Sequence, residues 1–189
     1  MGVKLVSSSG GSVEVNPPTT ASNFTQTLVA TTGTLAPIVS GTAVASTSGS
    51  SISFTSIPSW VKRITVMFNG VSVSGSAIVY ARLGTSSGST NSGYLGAALY
   101  INSGAATQAS TYWPLDGTTL NAAATRHGVY TIANVTGNTW AMSGGTSNSN
   151  DTGVSVTNGS IPLAATLDRV LIEVSAGTFD AGTINILYE

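Results

Sequence analysis

From Ser51 onward the hydrophobic residues recur at every second position in short runs, and turn-forming residues close each run. In WVKRITVMF (60–68), Trp60, Ile64, Val66 and Phe68 share one face, with Lys62 among them, and Asn69-Gly70 follows as a turn signal. AIVYARL (77–83) places Ile78, Tyr80 and Arg82 on one side and Val79 and Ala81 on the other. DRVLIEV (168–174) sets Val170, Ile172 and Val174 against Arg169, Leu171 and Glu173, and TINILYE (183–189) alternates Ile184, Ile186 and Tyr188. A period of two is the signature of a half-buried strand, and no stretch carries a helical period.

Residues 52–57, 93–101, 108–113, 126–134, 139–142 and 153–156 also read as strands. About eight to ten strands in roughly 140 residues is the density of an antiparallel sandwich. A jelly roll is the commonest arrangement for so many strands with long loops at one end. The expected fold is therefore all-β, with residues 51–189 forming a jelly-roll-like β-sandwich head.

Composition narrows the function. Only 7% of the 189 residues are charged and the formal net charge is −1. No basic patch is available to neutralise phosphates, so nucleic acid is not an expected partner. No polybasic run suits an anionic membrane, and no segment approaches the roughly 20 apolar residues of a spanning helix. The chain has no cysteine, which excludes disulfides and thiolate metal sites and fits assembly in a reducing cytoplasm. MGVKLVSSSGG carries one lysine but no apolar run of signal-peptide length, so export through a cleaved leader is not expected.

Residues 1–35 have a different texture. Val13 and Val15 alternate with Ser12, Glu14 and Asn16 before Pro17-Pro18 ends the run, and Phe24, Leu28 and Leu35 follow at wide intervals. Isolated short strands are marginal in water. One copy has too little to bury these side chains against, so a second body is required. Residues 36–50 lose aromatic and charged residues, fill with Ser, Thr, Gly and Ala, and read as a connector.

The phrase SVEVNPPTTASNFTQTLVATTGTL (12–35) resembles segments near the N-termini of bacteriophage tail-fibre proteins. FTSIPSWVKRITVMFNG (54–70) and FDAGTINILYE (179–189) resemble C-terminal domains of phage fibre and tail structural proteins. The resemblance implies a homotrimer in a virion assembled in the bacterial cytoplasm. Its N-terminal arm would interleave with two copies of itself through Val13, Val15, Phe24, Leu28 and Leu35, and would dock on other virion proteins through residues 1–35. The sandwich head would meet the host surface, with a surface glycan as candidate ligand. A capsid decoration protein or head fibre that stabilises the shell is the alternative.

Little in the chain suggests catalysis. His127 is the only histidine, and a strand-end role is the plainer reading than a triad member. The carboxylates show no acid–base pairing in their spacing. NSNDTG (148–153) offers oxygen ligands but lacks the repeated acids of a calcium loop, so a turn is expected. No enzyme activity, metal or cofactor is expected. Lys62-Arg63 and Asp168-Arg169 read as strand-end or inter-subunit ion pairs.

Aromatic rings beside a loop carboxylate do suit sugar recognition, because a flat apolar face and hydroxyl acceptors stand together. The expected receptor loops are residues 84–93, 104–117 and 143–152, with Tyr94, Tyr112, Trp113, Asp116, Asn148 and Asp151 as contacts. The competing reading puts Tyr112 or Trp113 in the core.

Overall fold

The alternation builds strands almost throughout. The computed structural model describes residues 3–15, 37–150 and 153–189, and among them there is no helix. The strands are β1 (Val3–Val6), β2 (Ser12–Val15), β3 (Val39–Ser40), β4 (Val44–Ala45), β5 (Ser51–Phe54), β6 (Arg63–Val73), β7 (Val79–Thr85) and β8 (Gly88–Ser89). They continue as β9 (Leu95–Tyr100), β10 (Ala105–Gln108), β11 (Trp113–Pro114), β12 (Arg126–Thr136), β13 (Thr139–Asn148), β14 (Val154–Pro162), β15 (Arg169–Val174) and β16 (Phe179–Tyr188).

Chain contacts divide the molecule at Leu35/Ala36 into two units. In the first, β1 and β2 form an antiparallel hairpin with Val6 opposite Ser12, and Leu5 and Val6 are exposed. Phe24, Leu28 and Leu35 lie outside the described residues.

The second unit holds two antiparallel sheets with one main core between them. The larger has nine strands in the order β10-β9-β14-β13-β12-β6-β16-β3, with β4 also on β16. The smaller has five, β11-β7-β15-β5, with β8 on β7. Alternation decides what each sheet buries: Val79, Ala81 and Leu83 of β7 and Val170 and Ile172 of β15 meet Ile64, Val66, Ile132, Ile184 and Ile186 of the large sheet.

Several expectations are corrected. The residues expected as a connector (36–50) supply β3 and β4, which pair with β16 at the sheet edge. Asn69-Gly70 is not a hairpin turn. It lies inside β6, where Gly70 has φ +68° and the pairing with β12 and β16 shifts register. The positive φ that makes Asn-Gly a turn signal serves a β-bulge equally well. Trp60 leaves the face of Ile64: it stands in the turn before β6, exposed, against Tyr188 with ring centroids 5.9 Å apart.

Residues 143–148, expected as loop, complete β13. Their small residues are needed because backbones crowd there. A Cβ on Gly145 would lie 2.4 Å from the Ser155 carbonyl oxygen, and one on Gly128 would lie 2.1 Å from that of Gly145.

Candidate functional site

Within the expected receptor loop 104–117, residues 113–117 form an internal strap. Beyond the reach of the small sheet, the inner face of β9, β10, β13 and β14 is lined by Thr107, Ala98, Thr157, Ser155 and Thr146. The strap lies against this face and its polar backbone is satisfied there. Thr157 Oγ1 donates to the Pro114 carbonyl at 2.8 Å, Tyr130 Oη to that of Leu115 at 3.0 Å, and Thr107 Oγ1 to that of Gly117 at 3.0 Å. The Gly117 N–H donates to Ser155 Oγ at 3.3 Å. A Cβ on Gly117 would fall 2.0 Å from the Tyr100 nitrogen, so only glycine lets the strap lie this close.

Asp116 of the strap is locked by Arg126, the first residue of β12. Both side chains are buried, with Arg126 Nε and Nη2 donating to the carboxylate at 2.8–3.1 Å and the Val79 N–H adding a third donor at 2.7 Å. Arg126 Nη1 also donates to the Ala124 carbonyl at 3.3 Å. Burial pushes the Asp116 carboxyl up, while the guanidinium charge and the hydrogen bonds pull it back. This is a structural ion pair: no part of it reaches solvent.

Four of the expected contacts are therefore corrected. Trp113 is fully buried, seated on Gly96 and Gly159, and stands edge-on to Tyr94 at 5.3 Å. Tyr94 is buried as well, its hydroxyl accepting the Leu83 N–H at 2.8 Å. Burial raises the Tyr94 and Tyr130 phenols well above their ordinary range. Asp116 is the lock just described, and Asn148 is buried at the end of β13. Asp151 lies outside the described residues. His127 Nδ1 accepts the Gly70 N–H at 3.2 Å and so holds the bulge of β6.

Tyr112 alone among the described contacts keeps a half-exposed place, and it belongs to a cluster on the outer face of the small sheet. It stacks on Tyr80 with centroids 4.3 Å apart and an interplanar angle of 28°. The Arg82 guanidinium lies 4.9 Å from the Tyr80 ring centre. Glu173 holds Arg82 at 3.0 Å, and the Thr111 carbonyl accepts from its Nε at 3.0 Å. Burial, and then the neighbouring Glu173 charge, raise the Tyr80 phenol. Flat rings beside a fixed cation and carboxylate can receive a hydroxylated or charged ligand by stacking and hydrogen bonding. Alternation in IVYAR had put Tyr80 and Arg82 on one side; what sequence could not give was the register that brings Glu173 opposite Tyr80 and Trp113 opposite Ala81.

The outer face of the large sheet differs in kind. Pairing sets Ala106, Leu99, Val156, Gly145, Val129, Met67 and Asn185 in one row across seven strands. The next row is Gln108, Ala97, Asn158, Ser143, Thr131, Thr65 and Leu187. Neither row contains a formal charge. Arg63, at one margin, pairs with Glu189.

Among the described residues no cluster of three or more His, Asp or Glu could hold a metal. Comparison with family models, with curated proteins and with solved structures finds no match to this chain.

Proposed function

We propose that this chain is a structural protein of a bacteriophage virion, a homotrimeric tail fibre whose N-terminal arm docks on the particle and whose head meets the host. The observation that carries the reading is the division at Leu35/Ala36. A two-stranded hairpin with exposed Leu5 and Val6 is the described part of the first unit, the second unit is a two-sheet head, and the hairpin needs a second body to cover it. The resemblance of residues 12–35, 54–70 and 179–189 to phage fibre proteins supplies the kind of particle and the number three. No catalysis is assigned to the chain.

Within this reading the head is a jelly roll. The orders β4-β16-β6-β12 and β5-β15-β7-β11 support it, because they are those of two interlocked Greek keys. The strands β9–β10 and β13–β14 are then insertions that widen one sheet. The Tyr80–Arg82–Tyr112–Glu173 cluster is the face offered to a host glycan, in place of the residues that proved buried.

Cryo-electron microscopy of particles made by the phage that encodes this chain tests the proposal. A few trimers at the tail are the expected result. Copies spread over the capsid lattice would replace the fibre with a shell-stabilising decoration protein, and absence from the particle would overturn both.

A further inference from the structure

We propose that Asn69 is a self-modification site, where the Gly70 nitrogen closes on the Asn69 side chain with His127 as the base. Asn-Gly occurs twice in the chain, at 69–70 and at 158–159, and both asparagines are exposed on strands of the nine-stranded sheet. In this dipeptide the following backbone nitrogen reaches the asparagine Cγ most readily, because glycine adds no Cβ to hinder the five-membered ring. The fold treats the two copies differently. Gly159 is paired on both sides, with Met142 of β13 and Gly96 of β9. A Cβ there would fall 2.6 Å from the Leu95 carbonyl oxygen and 2.7 Å from Trp113 Nε1, so the backbone is boxed in. Gly70 has no register partner on either side. β6 slips against β12 between Phe68 and Val71, and against β16 between Asn69 and Ser72. At φ +68°, a Cβ on Gly70 would meet nothing nearer than 3.8 Å.

The nitrogen that must lose a proton already donates it. The Gly70 N–H points at His127 Nδ1 at 3.2 Å, and His127 is the chain's only histidine. A ring nitrogen that accepts a hydrogen bond carries no proton, so His127 stands as the neutral imidazole protonated on Nε2. A general base must lie within about 2.6–3.2 Å of the proton it takes, and His127 meets that condition. Gly70 N gives its proton to Nδ1 and bonds to Asn69 Cγ. The Cγ–Nδ2 bond then breaks, and the side-chain amide leaves as ammonia with the proton from the imidazolium. Water opens the resulting succinimide to aspartate or isoaspartate, so the net change is amide plus water to acid plus ammonia. Each chain reacts once, on itself. The product sets a carboxylate into β6 between β12 and β16, and in isoaspartate the backbone is longer by one methylene. This chemistry is independent of the virion role.

Peptide mass spectrometry of the full chain, aged at neutral pH, reads both dipeptides in one sample. In the folded chain Asn69 is expected to convert at least about tenfold faster than Asn158. In urea, where no base is held at Gly70, that excess is expected to vanish. His127→Gln keeps an acceptor for the N–H but supplies no base, and is expected to slow Asn69 by at least about tenfold. Equal rates at the two sites in the folded chain would overturn the proposal. So would an excess at Asn69 that persists in urea, since the local sequence would then be its cause, or a His127→Gln chain that converts as fast as the unmodified one. The comparison of Asn69 with Asn158 needs no variant and stands even if His127→Gln fails to fold.

Discussion

The inner face of the large sheet has two halves, and they are built from different chemistry. Over the small sheet it presents Ile64, Val66, Ile132, Ile184 and Ile186, covered by the aliphatic side chains of β7 and β15. Over the strap it presents Ser155, Thr157, Thr146 and the Tyr130 hydroxyl, covered by backbone carbonyls and a buried ion pair. What covers a sheet decides which residues suit it. A second sheet presents side chains with its backbone already paired, so an apolar face fits. A strap of loop presents unpaired N–H and C=O groups, and each left unbonded in the interior would cost about 1–3 kcal/mol.

The largest expected effect sharpens this contrast. Arg126→Ala leaves the Asp116 carboxylate buried without its partner and should cost about 3–5 kcal/mol in urea unfolding. Replacing the pair together, Arg126→Met with Asp116→Leu, should recover most of that loss, since paired apolar groups need no solvation. If the single variant lost under 1 kcal/mol, the strap would not belong to the core.

Alkaline pH comes next. The Tyr94 and Tyr130 phenols are raised in the folded state above the unfolded value of 10.0. The unfolded chain therefore gives up these protons first. Their contribution is fully present below pH 10 and is lost as pH rises beyond it. Each should lower stability by about 1.4 kcal/mol per pH unit. Denaturant midpoints between pH 9 and pH 11 will measure the slope, and a flat profile would mean that neither hydroxyl is held from water.

Thr157→Val keeps the shape and removes the bond to the Pro114 carbonyl. A loss of about 1–3 kcal/mol is expected, from an acceptor left unpaired. Thermal melts of this variant beside Ile132→Val, expected to lose about 0.5–1.5 kcal/mol, compare the two halves by near-isosteric changes.

Glu173→Gln should have the smallest effect, at most about 1 kcal/mol, because the pair with Arg82 keeps contact with solvent. A larger loss would show that the outer cluster helps to hold β11 in the sheet.

The sequence made the strand faces readable, because alternation is a local property. Val170, Ile172 and Ile184 are buried as their period requires. The strap was unreadable for the opposite reason. Polar residues and Asp-Gly ordinarily signal exposure, and only the partners brought from β7 and β12 make Asp116 an interior residue. Residues 143–148 looked like a loop because they lack bulk, and bulk is what crowding at Gly128 and Gly145 forbids. The Tyr80–Tyr112 cluster needed both: alternation gave Tyr80 and Arg82, but no local signal announces a neighbour across a register.

The place of β16 has a consequence for biosynthesis. It follows the other fifteen described strands yet lies between β6 and the pair β3 and β4. Until it emerges from the ribosome, β6 has one bare edge and the large sheet ends there, three strands short. The pairing of Phe179 with Val73 closes a loop of more than a hundred residues. Such long-range closure makes folding slow and leaves the nascent edge open to the wrong strand. Neighbouring copies emerging together would be exposed to that exchange until β16 has been made.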